Sequence, residues 1–169
     1  DLRIENILKL LLFSNSYIKQ QEIADMFFVS TSQVNKDMRE VKQLLALYNI
    51  SLISKPYYGM KIHGDEKDIR LAIRNEIGED PSIFGNDEQK EIFNQIQDII
   101  AENESFQNFA MPYANFKNLV VHLYISILRI RSGKYIELSP DLSSKVVYYD
   151  EFNLANKIVL DLSNKLDIE

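Results

Sequence analysis

YIKQQEIADMFFVSTSQVNKDMREVKQLLALYNISLISKPYYGMKIHG, residues 17–64, holds two helical patterns in close succession, then an alternating strand, a Pro/Gly turn and a second strand. The first helix is expected from about Lys19 to Met26, burying Ile23 and Met26 or Phe27. In the second, from about Thr31 to Leu47, Val34, Met38, Val41, Leu44 or Leu45 and Tyr48 recur at helical spacing. Ser30 precedes it as an N-cap, and Gln33 stands where the other half of a capping box belongs. Ile50, Leu52 and Ser54 share one strand face, Ser51 and Ile53 the other. Lys55-Pro56-Tyr57-Tyr58-Gly59 reads as a hairpin loop, with Met60 to His63 as the return strand. Helix, turn, helix and hairpin in this order make a winged helix-turn-helix, used mainly to set one helix into a DNA groove. The same small fold also serves as a structural or protein-docking module.

The second helix of such a unit meets base edges with its exposed early residues, here Thr31, Ser32, Gln33, Asn35 and Lys36. Asn and Gln suit adenine in the major groove, while Ser, Thr and Lys take bases or phosphates. Part of Gln33 is spoken for by the capping box, so Asn35 and Lys36 rank first for direct readout. Arg39, one turn later, is placed for backbone phosphate. At the hairpin tip Lys55, Tyr57 and Tyr58 set two aromatics beside a cation, which fits phosphate or minor-groove contact, or equally a dimer or domain contact.

Working outward, a helix over about Leu2 to Phe13 carries Ile4, Ile7, Leu8, Leu11 and Leu12 on one stripe, and Asn15-Ser16 interrupts it. Asp65 opens another, through about Ile77, built on Ile69, Ile73 and Ile77. Two glycines, a proline and several capping residues then gather between Gly78 and Asp87. The expected organisation is a winged domain over 1–79, a linker over 80–87 and a helical domain over 88–169. The fold class is therefore mostly α. In the second half, helices are expected over about Asp87 to Asn103, Tyr113 to Ser132 and Tyr149 to Leu166, with a looser stretch from Gly133 to Tyr148. The middle helix is apolar almost all round, which asks for further helices or a second copy of the chain to cover it.

The 169 residues carry a net charge of −6, which looks wrong for a DNA binder until it is divided. Residues 1–79 hold 11 basic and 11 acidic side chains, and 80–169 hold 8 and 14. From Ser30 to His63, Lys36, Arg39, Lys42, Lys55 and Lys61 face only Asp37 and Glu40, a local +3. Phosphate responds to that patch, because charge beyond a Debye length of about 10 Å is largely screened. There is no Cys, which excludes disulfides and fits a cytoplasmic protein. Ile7 to Phe13 is too short to span a membrane. Opening on Asp1, the sequence reads as part of a longer chain. No enzyme constellation is present. His63 and His122 are the only histidines, Gly59, Gly64 and Gly78 form no phosphate loop, and no metal or cofactor is implied.

Three stretches carry a family resemblance. EIADMFFVSTSQVNKDMREV has a V-S-x-x-x-V-x-x-D core at Val29, Ser30, Val34 and Asp37. YYGMKIHGDEKDIR continues as G-x-E-x-x-x-R at Gly64, Glu66 and Arg70, and NLVVHLYISILRIRSGKYI places His122 before Arg129. In this order they resemble bacterial transcriptional regulators with a phosphotransferase-system regulation domain (PRD), among them the mannitol- and lichenan-operon activators. The Mga-like virulence regulators of Gram-positive cocci share the architecture. The resemblance implies a homodimeric regulator that binds double-stranded DNA and controls sugar-utilisation or virulence genes. Its phosphate would come to His122 from the histidine phosphocarrier protein or a sugar permease enzyme II component, with Arg129 sensing it. The RNA-binding antiterminator branch commonly has Asp directly before this histidine, and Val121 stands there instead. On the residues alone, Asn118, His122, Ser126, Arg129 and Gly133 form a narrow polar stripe. Either His122 is a core histidine bonded to Ser126, or it faces a groove where its imidazole accepts a phosphoryl group.

Overall fold

The computed structural model describes residues 2–78, 87–137, 139–147 and 149–168, except the side chains of Leu142, Ser143, Val146 and Asp150. The chain divides into two compact units, Asp1–Ile77 and Gly78–Glu169. The expected linker over 80–87 lies outside the described residues except for Asp87, which opens a helix.

In the first unit α1 (Leu2–Phe13), α2 (Gln20–Met26), α3 (Thr31–Ala46) and α4 (Glu66–Ile77) surround one core, with a hairpin of β1 (Ser51–Lys55) and β2 (Gly59–His63) between α3 and α4 in sequence. The apolar stripes meet there: Ile7, Leu11 and Leu12 of α1, Ile23 of α2, Val34, Val41 and Leu45 of α3, and Ile73 of α4 are buried. Met26 is exposed and Phe27 half-buried, because Ala24 takes the inner position beside Ile23. The antiparallel register runs from Ser51 opposite His63 to Lys55 opposite Gly59. A third segment joins it: Ile18 and Met60 exchange both backbone hydrogen bonds at 2.8 Å. Gly59 is required at that crossing. Its φ is +110°, and a Cβ there would collide with the Ile18 carbonyl.

The second unit is all helical among the described residues: α5 (Asp87–Glu102), α6 (Glu104–Gln107), α7 (Tyr113–Arg131), α8 (Pro140–Val146) and α9 (Asp150–Leu166). The stretch expected to be loose thus contains α8, and Asn103 starts α6 by accepting the Phe106 N–H at 3.1 Å. α5 packs on both α7 and α9. Phe93 meets Tyr124 edge-on, with ring centroids 5.5 Å apart, and burial pushes the Tyr124 hydroxyl up to about 12. Val120, Val121, Tyr124, Ile125 and Ile127 are buried, so the unit itself covers much of α7.

Candidate nucleic-acid interface and the His122 helix

The turn between α2 and α3 sets how the second helix leaves the unit. The Val29 N–H reaches the Ala24 carbonyl and the Phe28 N–H the Asp25 carbonyl, the paired bonds of a Schellman stop. That motif needs a left-handed residue, and Phe28 supplies it with φ 53° while standing 96% exposed. Ser30 then caps α3, its Oγ accepting the Gln33 N–H at 3.1 Å. The other half of the expected capping box does not form. Gln33 Nε2 reaches forward to Asp37 Oδ1 at 2.8 Å instead, and the reciprocal contact occurs at α2, where Glu22 Oε2 accepts the Lys19 N–H.

Asp37 explains the diversion. It lies on the buried stripe of α3 with Val34, Met38 and Val41, and Arg3 of α1 grips it through Nε at 2.7 Å and Nη2 at 3.2 Å. The Arg3 guanidinium holds the Asp37 carboxyl below its usual value, aided by Gln33 and opposed by burial. The angular position of α3 is therefore set by an ion pair as well as by packing. An acid at an inward position of an amphipathic helix is the signal that reveals it in the sequence.

Of the five expected base readers, Thr31, Ser32, Asn35 and Lys36 are exposed along α3, whereas Gln33 is half-buried and committed to Asp37. Arg39 is exposed one turn after Lys36. Asn35 also has a neighbour that sequence reasoning misses: Gln20 Nε2 donates to Asn35 Oδ1 at 2.7 Å. Both line a cleft of about 90 Å³ with Met38, Arg39 and Lys42 of α3, Leu52 and Ser54 of β1, and Met60.

The hairpin tip separates the two tyrosines. The Tyr58 N–H bonds the Lys55 carbonyl at 3.1 Å, closing a turn with Pro56 second and Tyr57 third at φ 68°. Tyr57 is left 95% exposed. Tyr58 instead turns back, with its ring 6.3 Å from that of Tyr17 and the Lys55 ammonium 4.2 Å from its centroid. The exposed charge keeps the +3 of the residue count. Arg3 neutralises Asp37, and Lys36, Arg39, Lys42 and Lys55 are exposed against Glu40.

On α7 the polar stripe is graded. Asn118 and His122 are exposed, Ser126 is half-buried and Arg129 is buried. His122 is exposed and so is not a core histidine, whereas buried Tyr124 meets Phe93 of α5. Among the described residues no group of His, Asp and Glu is placed to hold a metal ion, and no helix is long and apolar enough to cross a membrane.

Two family models match successive parts of the chain: the Mga helix-turn-helix domain over residues 4–75 and the PRD domain over residues 97–169. The chain is similar to the "Probable licABCH operon regulator" of Bacillus subtilis (strain 168), 29% identical over 178 residues that take in 98% of this chain and 27% of the relative. It is also similar to "Transcriptional regulator ManR" of the same organism, 26% identical over 136 residues, 77% of this chain and 21% of that protein. The chain thus spans about a quarter of the length of these curated relatives. Both matched models describe regulatory modules. The chain thus joins an Mga helix-turn-helix match to a PRD match, a domain architecture that resembles the licABCH- and ManR-like regulators.

Proposed function

We propose that this chain is the DNA-reading part and first regulatory part of a transcription regulator of sugar-utilisation or virulence genes. In this reading residues 1–79 bind double-stranded DNA, 80–87 link, and 88–169 form the beginning of the phosphotransferase-responsive portion. The observation that carries it is α3: a capped helix with Thr31, Ser32, Asn35, Lys36 and Arg39 exposed. The hairpin adds Lys55 and Tyr57 as backbone contacts, while Tyr58 braces the tip against Tyr17. One such helix reads only a few base pairs, so a homodimer with two α3 helices one DNA turn apart is the expected binding form. A gel-shift series with the full-length regulator tests this. A preference for duplex from its own promoter over random duplex is the expected result, and equal binding would sink the reading.

His122 is the proposed phosphorylation site. It is exposed on α7 with Arg129 two turns further along the same stripe, about 10 Å by helix rise. A neutral imidazole nitrogen attacks the phosphoryl group of a phosphorylated donor protein, and the donor's histidine or cysteine leaves as the N–P or S–P bond breaks. The modified ring then carries close to two negative charges, which favour a rearrangement bringing Arg129 towards it. The donor is the histidine phosphocarrier protein or a sugar permease enzyme II component. Incubation with phosphoenolpyruvate and these components, followed by mapping of acid-labile phosphate, should label His122. No label there, with a normal sugar response in a His122→Ala strain, would remove the residue from regulation.

A further inference from the structure

Gln20 is the first residue of α2. Its amide reaches across to α3, where Nε2 donates to Asn35 Oδ1 at 2.7 Å. The contact joins half-buried Gln20 to exposed Asn35 on adjacent helices, and both line the cleft shared with Arg39, Lys42 and Ser54.

The chemistry of an asparagine amide gives this contact a consequence. To pair with adenine in the major groove, Asn must accept from N6 with its oxygen and donate to N7 with its nitrogen, in the right order. A free asparagine amide rotates through nearly equivalent orientations and must be ordered on binding. A donor fixed on Oδ1 selects one orientation in advance. The carbonyl oxygen has two lone pairs and the nitrogen two hydrogens, so the bond to Gln20 leaves an acceptor and a donor on Asn35 for the base.

We infer that Gln20 is a positioning residue that holds the Asn35 amide in the orientation that reads adenine. The inference rests on the DNA-binding reading above and deepens it: the base is adenine, and the reading unit is a pair of amides from two helices. Gln20→Glu is the informative variant. An ionised carboxylate has no hydrogen to give Oδ1, so it draws the Asn35 nitrogen towards itself and turns the amide the wrong way round.

The test uses the full-length regulator and double-stranded oligonucleotides enriched from a randomised pool by the wild-type protein. At each position of the enriched site, affinities are compared between duplexes carrying adenine and each other base. This ratio does not change through loss of folding alone, and thermal unfolding of each variant is recorded beside it. Asn35→Ala should lower the adenine preference at one position by roughly 10-fold. Gln20→Ala should lower it several-fold at that same position, and Gln20→Glu should abolish it. In the Asn35→Ala background, Gln20→Ala should have no further effect on the ratio. The inference is overturned if Asn35→Ala removes the preference while both Gln20 variants keep it. It is also overturned if Asn35→Ala changes no adenine position, and in either case the DNA-binding reading survives. Failure to enrich any duplex would take both down together.

Discussion

Phe28 occupies a backbone conformation that a side chain of its size pays to adopt. Other helices here end on the same left-handed stop with Asn49, Gly133 or Asp167, residue types suited to it. Phe28 gains no burial in return. Replacing it by Gly should stabilise the first unit by about 1 kcal/mol, read as a higher midpoint in urea unfolding. No change or a loss would show that the ring supports the fold after all. Asp37 is a second residue-scale case, and its effect appears on the acid side. Its carboxyl is held below the ordinary aspartate value by the Arg3 guanidinium, so the charged form favours the folded unit. That contribution is complete above the unfolded value and is lost as pH falls through the lower folded one. Arg3→Ala removes the first cause of the depression, so acid unfolding should begin at a higher pH than in the parent. Circular dichroism from pH 5 downward checks this. Phe28 is hard to read from sequence because its role depends on φ, and although the inward position of Asp37 signals an ion pair, no period points to Arg3 in a different helix as the partner.

Helices and strands are the scale at which the sequence is most legible. Ser30 marks the start of α3, the Pro56–Gly59 turn marks the hairpin, and the stripes on α1, α3 and α4 are long enough to show their period. α6 and α8 are not legible for a simple reason. ESFQ is a single turn, and PDLSSKV offers only Leu142 and Val146 as large apolar positions, too few to define a face. The hairpin also hides its attachment: pairing of Ile18 with Met60 needs a close backbone approach that no local pattern encodes. Gly59→Ala tests that attachment. The added methyl meets the Ile18 carbonyl at a φ that Ala disfavours, so the first unit should lose more than about 2 kcal/mol. Chemical unfolding should show that loss with the m-value unchanged, whereas Gly133→Ala, with open space around it, should cost less.

Across the whole molecule the charges are sorted by unit, with acid concentrated in the second half and exposed cations along α3 and the hairpin tip. Overall net charge therefore misrepresents what a phosphate backbone meets. Arg39→Ala should weaken binding to specific and random duplex alike and reduce the salt slope of log K by about 1. Titrations at several salt concentrations check this, and an unchanged slope would place Arg39 away from phosphate. The units themselves follow from composition, since the Gly/Pro-rich stretch from Gly78 separates two sets of apolar stripes. The grading of the α7 stripe does not, because periodicity places His122 and Arg129 on one line without saying which end is covered. The Ile18–Met60 pairing carries a last consequence, in the timing of motion. These two backbone bonds close a loop that contains α2, α3 and β1, and both residues are buried, which ties their opening to that of the loop. Hydrogen exchange at the Ile18 and Met60 amides should then proceed only when the whole first unit opens, at a rate shared with the centre of α3. A ligand that steadies α3 would slow exchange at Ile18, and the wing and the reading helix would come apart in a single event.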